Sequence, residues 1–198
     1  MLTLNNLFYN NINISYTIFP SSLSILNQSQ NSSNLLPIIA GLDKSKQINI
    51  LWNNKEILQF YHLYSSDINF IPTKNNLDPN LTVKQNINFI SCLSDTQILI
   101  SSAITYFNLD NIYHKKIKDL NNNELQRVKL SQLILSPKTL WLLERPDQFL
   151  ERKWQEKLFN LIATRIKEGG LVILTSDNKI FHKIGQFINL DDFTSKNI

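Results

Sequence analysis

The side chains best suited to ligate a metal or attack a substrate in this chain of 198 residues are His62, His114 and His182, with one cysteine, Cys92. The histidines lie far apart and lack the short spacings of a ligand set, so the sequence announces no metal site. A lone cysteine excludes a disulfide framework and a cysteine-based zinc site. It reads as a small apolar packing residue of a reducing compartment. Phosphate chemistry would be signalled by glycines, and there are four: Gly41, Gly169, Gly170 and Gly185. Average usage would give about fourteen. So few glycines predict few left-handed turns and count against an intact Gly-rich phosphate cradle.

Hydrophobic residues make up 42% of the chain and aromatics 10%, which fits a folded domain and excludes a disordered one. The length suits a single domain over residues 1–198 with a sizeable core. The net charge is +4, but the sixteen lysines are scattered. A mildly basic solvated surface is therefore expected, and no nucleic-acid groove. The longest apolar run, near Leu171-Val172-Ile173-Leu174, has the length of a strand and not of a membrane span. Strand-like alternation begins at Leu2 and no Arg-rich leader precedes it, so no targeting segment is expected. Asn and Ile each occur 26 times. Both share A/T-rich codons with Lys, Phe and Tyr, and the skew reads as that of an organelle, endosymbiont or parasite genome.

The elements that must position any site follow from periodicity. Leu2-Thr3-Leu4, Ile12 to Ile18 and Leu23 to Leu26 alternate with period two and predict strands. Polar residues 27–34 lead into Leu35-Leu36-Pro37-Ile38-Ile39-Ala40 and Gly41, the pattern of a capped helix. Ser32 or Ser33 would cap it, with Pro37 in its first turn. Ile48 to Trp52 predicts a strand turning at Asn53-Asn54. From Thr82 to Phe107 the spacing is helical, with Val83, Ile87 and Ile90 on one stripe and Ile100, Ile104 and Phe107 on another. Leu125 to Leu135 continues as helix, with Val128, Leu130, Leu133 and Ile134 inward. Thr139 to Leu143 and Leu171 to Thr175 are continuous apolar runs, as in parallel strands buried on both faces. The helical period of Arg152 to Lys167 lies between them, which predicts a right-handed crossover. The fold class is α/β with an antiparallel region first.

Five fragments, in order, resemble the nucleotide-binding domain of ABC transporters. Leu35-Leu36-Pro37-Ile38-Ile39-Ala40-Gly41-Leu42 is similar to the helix after the P-loop. Leu81-Thr82-Val83-Lys84-Gln85-Asn86-Ile87 is similar to the start of the helical subdomain. Leu120-Asn121-Asn122-Asn123-Glu124-Leu125-Gln126-Arg127-Val128 stands in place of the LSGGQxQRV signature. Leu140-Trp141-Leu142-Leu143-Glu144-Arg145-Pro146 resembles the Walker B strand, and Gly169-Gly170 through Asp177 the switch strand. The resemblance implies an ABC ATPase fold: an antiparallel β region, a P-loop-type, mostly parallel core sheet and an inserted helical subdomain at about 78–135. Within the superfamily, Ile50-Leu51-Trp52 and Thr139-Leu140-Trp141-Leu142-Leu143 resemble the CcmA family, the ATPase subunits of cytochrome c maturation (haem export).

The same resemblance implies ATP and Mg²⁺ as cofactors, with sites that depart from the family pattern. The P-loop positions fall on Leu26, Asn31, Ser32 and Ser33, where both glycines and the lysine are missing. A residue with a Cβ in a left-handed turn costs about 1–2 kcal/mol, and a lost charge-assisted phosphate bond costs about 1.5–3 kcal/mol. The Walker B aspartate is Glu144, and the general base is Arg145, which cannot accept a proton. A general base contributes a factor of about 10²–10⁴. The switch histidine falls at Asp177, the signature serine and glycines at Asn121, Asn122 and Asn123, the Q-loop residue near Lys74 and the D-loop residue at Glu151. No catalytic residue and no metal ligand are assigned; Ser32, Ser33 and Glu144 remain as vestigial cofactor-binding positions. Lys74 and Arg145 read as surface or salt-bridging residues, and Trp52 and Trp141 as core. Tyr9, near the adenine-stacking position, reads equally as a strand aromatic.

The expected function is that of a degenerate CcmA-like subunit that does not bind ATP. It would lie peripherally on CcmB-like and CcmC-like membrane subunits, with a homodimer left open. Its place would be the matrix side of a mitochondrial inner membrane, or the cytoplasmic side of a bacterial one. The docking surface would be the helices of residues 82–135. Two alternatives stay open: a residual ATPase activated by partners, and an accessory subunit of another large inner-membrane complex.

Overall fold

The computed structural model describes residues 1–9, 12–27, 30–43 and 49–193, excepting the side chains at 8, 9 and 30–33. β1 (Leu2–Tyr9) pairs antiparallel with β2 (Ile12–Ile18) on one side and β4 (Ile50–Trp52) on the other. β4 turns at Asn53-Asn54 into β5 (Lys55–Glu56). Both asparagines have positive φ, 51° and 64°, as a two-residue type I′ hairpin requires. Ile48, the expected start of this strand, lies outside the described residues.

The second sheet is parallel. It contains β3 (Ser22–Leu26), β6 (Ile68–Ile71), β7 (Leu140–Glu144), β8 (Leu171–Thr175) and β9 (Gln186–Ile188), in the order β6-β7-β8-β3-β9. The helices are α1 (Gln30–Ile39), α2 (Tyr61–Ser66), α3 (Val83–Ser94), α4 (Ile100–Phe107), α5 (Asn122–Leu135) and α6 (Arg152–Lys167). α6 carries the chain from β7 to its parallel neighbour β8, as the sequence predicts. The sequence gives no warning of α2, β6 or β9, which at three to six residues are too short to show a period.

Alternation along the parallel strands divides the interior in two. Trp141, Leu143, Val172 and Leu174 face a core shared with α3 to α6. Leu140, Leu142, Leu171 and Ile173 face a core shared with α1 and the antiparallel sheet. Both faces are covered, so the runs have no polar alternation. Trp52 and Trp141 are core residues, 7% and 2% exposed. The Trp52 indole donates to Asp67 Oδ2 at 2.8 Å.

Three expectations are corrected. α1 begins at Gln30, so Ser32 and Ser33 lie inside its first turn instead of capping it, and Pro37 sits near its C-terminal end. First-turn N–H groups need no acceptor within the helix, so a polar run can be helical there. The helix closes as expected at Gly41: its N–H bonds Ile38 O, and the N–H of Leu42 bonds Pro37 O, a Schellman motif around a φ of +72°. Left-handed positions are not scarce, because asparagine takes them at Asn6, Asn53, Asn54 and Asn108. A short polar side chain that bonds its own backbone tolerates that region. Finally, Cys92 is exposed. The inward stripe of α3 is Val83, Ile87 and Ser91, which turns the neighbouring Cys92 outward.

Candidate functional site

Strand register brings the expected site positions together. Leu26 of β3 lies opposite Thr175 of β8, and Thr175 opposite Glu144 of β7. These three strand ends form one row at the C-terminal edge of the parallel sheet, where open α/β sheets bind ligands. From β3 the chain passes into α1, with the backbone of Ser32 and Ser33 in the first turn; their side chains are outside the described residues, as is that of Tyr9.

Hydrogen bonds fasten the row. The Ser176 N–H donates to Leu26 O at 3.3 Å, and the Arg145 N–H to Thr175 Oγ1 at 2.9 Å. Arg145 has a φ of +46°, so the chain leaves β7 through a left-handed residue. The half-buried Glu144 accepts the Thr73 N–H on Oε2 at 2.8 Å. The structure also brings in a residue that sequence reasoning missed. Lys129, 2% exposed in the middle of α5, donates from Nζ to Pro72 O at 2.5 Å and Thr73 O at 2.9 Å. Burial pushes its ammonium down to about 8, against the opposing pull of Glu144. A charge between the apolar Val128 and Leu130 was the available signal.

The start of α5 is closed on itself. Asn121 Oδ1 accepts the Glu124 N–H at 2.9 Å, and Glu124 Oε2 accepts the Asn121 N–H at 3.0 Å, a reciprocal capping box. Burial works against the Glu124 carboxylate, but the Asn121 N–H and the Lys115 ammonium hold it below its ordinary range. The signature-position residue Asn123 turns away to Phe149 O and to Arg127. Lys74 and Asp177 are exposed, and Glu151 stands at the N-cap position of α6 without a side-chain capping bond, paired with Lys153 at 3.4 Å. The histidines are not brought together: His62 lies in α2, His114 packs on Tyr113 and His182 stacks on Phe187.

Beside this edge, α3 and the residues after β6 form a second feature. Leu77, Leu81, Phe89, Ile90, Leu93 and Gln132 line a groove of about 460 Å³. Phe89 and Leu93 stand 61% and 73% exposed on its rim.

A parallel core sheet with α1 and an antiparallel sheet on one face and α3 to α6 on the other has the architecture of an ATP-binding cassette. The ABC transporter family profile matches residues 32–148, and the chain belongs to that family. The cytochrome c biogenesis ATP-binding export protein CcmA of Rickettsia conorii is 28% identical over 194 residues, covering 96% of this chain and 100% of the relative. Its counterpart in Wolbachia pipientis is 32% identical over 143 residues, covering 72% of this chain and 66% of the relative. Among solved structures, the dimeric bacterial ABC transporter cassette MJ0796 superposes with a TM-score of 0.82 at 19% identity, covering 96% of this chain and 95% of that one. An ABC transporter ATP-binding protein of Pyrococcus furiosus gives 0.80 at 19% identity, covering 98% and 99%. These likenesses are to the fold. Among the described residues no helix is long and apolar enough to cross a membrane.

Proposed function

We propose that this chain is a CcmA-like subunit of a haem-export complex in cytochrome c biogenesis, acting as a structural pseudo-ATPase. The carrying observation is the row Leu26–Thr175–Glu144 with Arg145 directly after it. The position from which a base would activate water holds a guanidinium, protonated at every accessible pH. The residues present do not fit a magnesium-bound nucleotide. Glu144 already accepts the Thr73 N–H, and the capping box at the start of α5 commits the Asn121 N–H to the Glu124 carboxylate and the Glu124 N–H to the Asn121 amide oxygen.

Docking is the activity that remains. The groove with Phe89 and Leu93 on its rim offers an apolar seat for a helix of a membrane subunit. CcmB-like and CcmC-like subunits are the proposed partners, with the helical subdomain at about 78–135 as the docking element and a second copy as a further partner. The compartment proposed is the matrix face of a mitochondrial inner membrane, on the strength of the A/T-codon composition. The rickettsial and Wolbachia relatives support the cytoplasmic face of a bacterial membrane as the second reading.

Two measurements, one on the purified chain and one on the native complex, test this. The purified chain should show ATPase activity at background and no submicromolar binding of Mg²⁺–ATP by calorimetry, and hydrolysis above background overturns the pseudo-ATPase. Haem-maturation subunits should co-purify with it, and their replacement by chains of an unrelated inner-membrane assembly overturns the haem-export assignment.

A further inference from the structure

The hairpin of β4 and β5 and the helix α2 enclose another cavity, away from the strand-end row. Its volume is about 170 Å³, room for about five waters at about 30 Å³ each. Strand register sets Trp52 opposite Lys55, so both side chains leave the hairpin on one face. Phe60 precedes the first turn of α2, and Tyr64 inside the helix lines the same cavity. The Trp52 and Tyr64 rings lie 5.9 Å apart, tilted by 58°, and Phe60 forms a third aromatic wall. Asp67, at the C-terminal end of α2, adds a carboxylate whose Oδ2 accepts the Trp52 indole N–H at 2.8 Å. Glu56 adds a second carboxylate to the lining.

Aromatic faces and carboxylates attract cations, and apolar walls suit a cation that carries carbon substituents better than a hydrated metal ion. The chain supplies the first such group itself. Lys55 Nζ stands 5.3 Å from the centroid of the Phe60 ring, within the reach of a cation–π contact. Among the described residues Lys55, Glu56 and Asp67 make no ion pair, so the lining holds one ammonium on an aromatic face and two carboxylates unmatched by a bonded cation. Leu63, 55% exposed, continues the apolar lining out to solvent.

We propose that this cavity binds a small organic ammonium ion, with Trp52, Phe60 and Tyr64 as its aromatic walls, Asp67 as its counter-charge and the Lys55 side chain as a displaceable occupant. The site is independent of the nucleotide chemistry at the strand ends and of docking at the α3 groove.

Choline is the probe, titrated into the full chain at constant ionic strength beside its neutral isostere, in which carbon replaces the quaternary nitrogen. The readout is the indole N–H resonance of Trp52 in a heteronuclear NMR spectrum. Choline should shift that resonance with an affinity in the millimolar range, and the isostere should leave it in place. Asp67→Asn keeps an acceptor for the indole and removes the charge, so the affinity should fall about tenfold. Phe60→Leu should weaken binding about two- to fivefold, and Lys55→Met, which frees the Phe60 face, should strengthen it by about as much. Phe60 is 38% exposed and Lys55 lies on the surface, so neither substitution endangers the fold. Equal shifts by choline and the isostere overturn the proposal, because an apolar pocket without charge preference would give them. The absence of any shift with choline overturns it as well, as does an affinity unchanged in both Phe60→Leu and Asp67→Asn. An affinity that does not rise in Lys55→Met overturns the part assigned to Lys55. The comparison of choline with its isostere on wild type decides without any variant.

Discussion

The backbone N–H of Arg145 donates to the hydroxyl of Thr175 at 2.9 Å, so a left-handed residue at the end of β7 is held by a side chain at the end of β8. Thr175→Val keeps the shape and removes the acceptor. It should cost about 1–3 kcal/mol in urea denaturation, the penalty of an unsatisfied donor. Arg145→Gly should do the reverse by a smaller amount. It relieves about 1–2 kcal/mol of left-handed strain against about 0.5–1 kcal/mol of added chain freedom.

Arg145→Glu would return a carboxylate to the water-activating position. ATPase activity of the assembled complex should stay at background, because Asn121, Asn123 and Glu144 remain engaged within the chain. A wild-type rate that falls on this substitution would instead identify Arg145 as part of a working site.

Phe89→Asp and Leu93→Asp place a charge on the rim of the groove. Both side chains are largely exposed, so stability should stay within about 0.5 kcal/mol of wild type. Pull-down of the membrane subunits should be lost.

Lys129 gives a pH signature. Its ammonium is pushed down to about 8 in the fold, against an ordinary value of 10.5. Between these two values the unfolded chain binds the proton that the folded chain has released, so stability attributable to Lys129 rises with pH across that window. Glu144 is the acidic group facing it. The difference between wild type and Lys129→Met in denaturation midpoint should therefore grow in favour of wild type from pH 8 towards 10.5.

Gly41 and Gly169 both have positive φ, +72° and +92°, but only Gly41 is crowded. A Cβ there would meet the Tyr61 ring at 2.6 Å, whereas at Gly169 nothing lies within 4 Å. Gly41→Ala should therefore lower the melting temperature further than Gly169→Ala, which carries only the backbone cost of about 1–2 kcal/mol.

Much of this was legible in the sequence where elements are long. The sixteen residues of α6 and the five-residue runs of β7 and β8 declare period and burial directly. The apolar runs Thr139 to Leu143 and Leu171 to Thr175 on either side of a helical period predicted a parallel pair, which the structure shows as β7 and β8. Other features were hidden for physical reasons. β6 is too short to show a pattern, yet the loop that leaves it supplies the Pro72 and Thr73 carbonyls that receive Lys129. Lys129 looks like any surface lysine until the helix carrying it proves buried nearly all round. The glycine shortage misled because asparagine occupies left-handed positions that composition alone assigns to glycine.

The parallel sheet also has a bearing on how the chain reaches its fold. Ser22 of β3 lies opposite Leu171 of β8, and β9 flanks the other side of β3. Both neighbours of this early strand therefore emerge from the ribosome last. Such distant pairings make for slow folding, since the loop must close before the contacts reward it. β3 must wait unpaired until β8 and β9 are made, whereas β1 and β2 find their partners among each other and β4. A truncation ahead of Leu171 would leave β3 with neither parallel neighbour and its apolar faces open to aggregation.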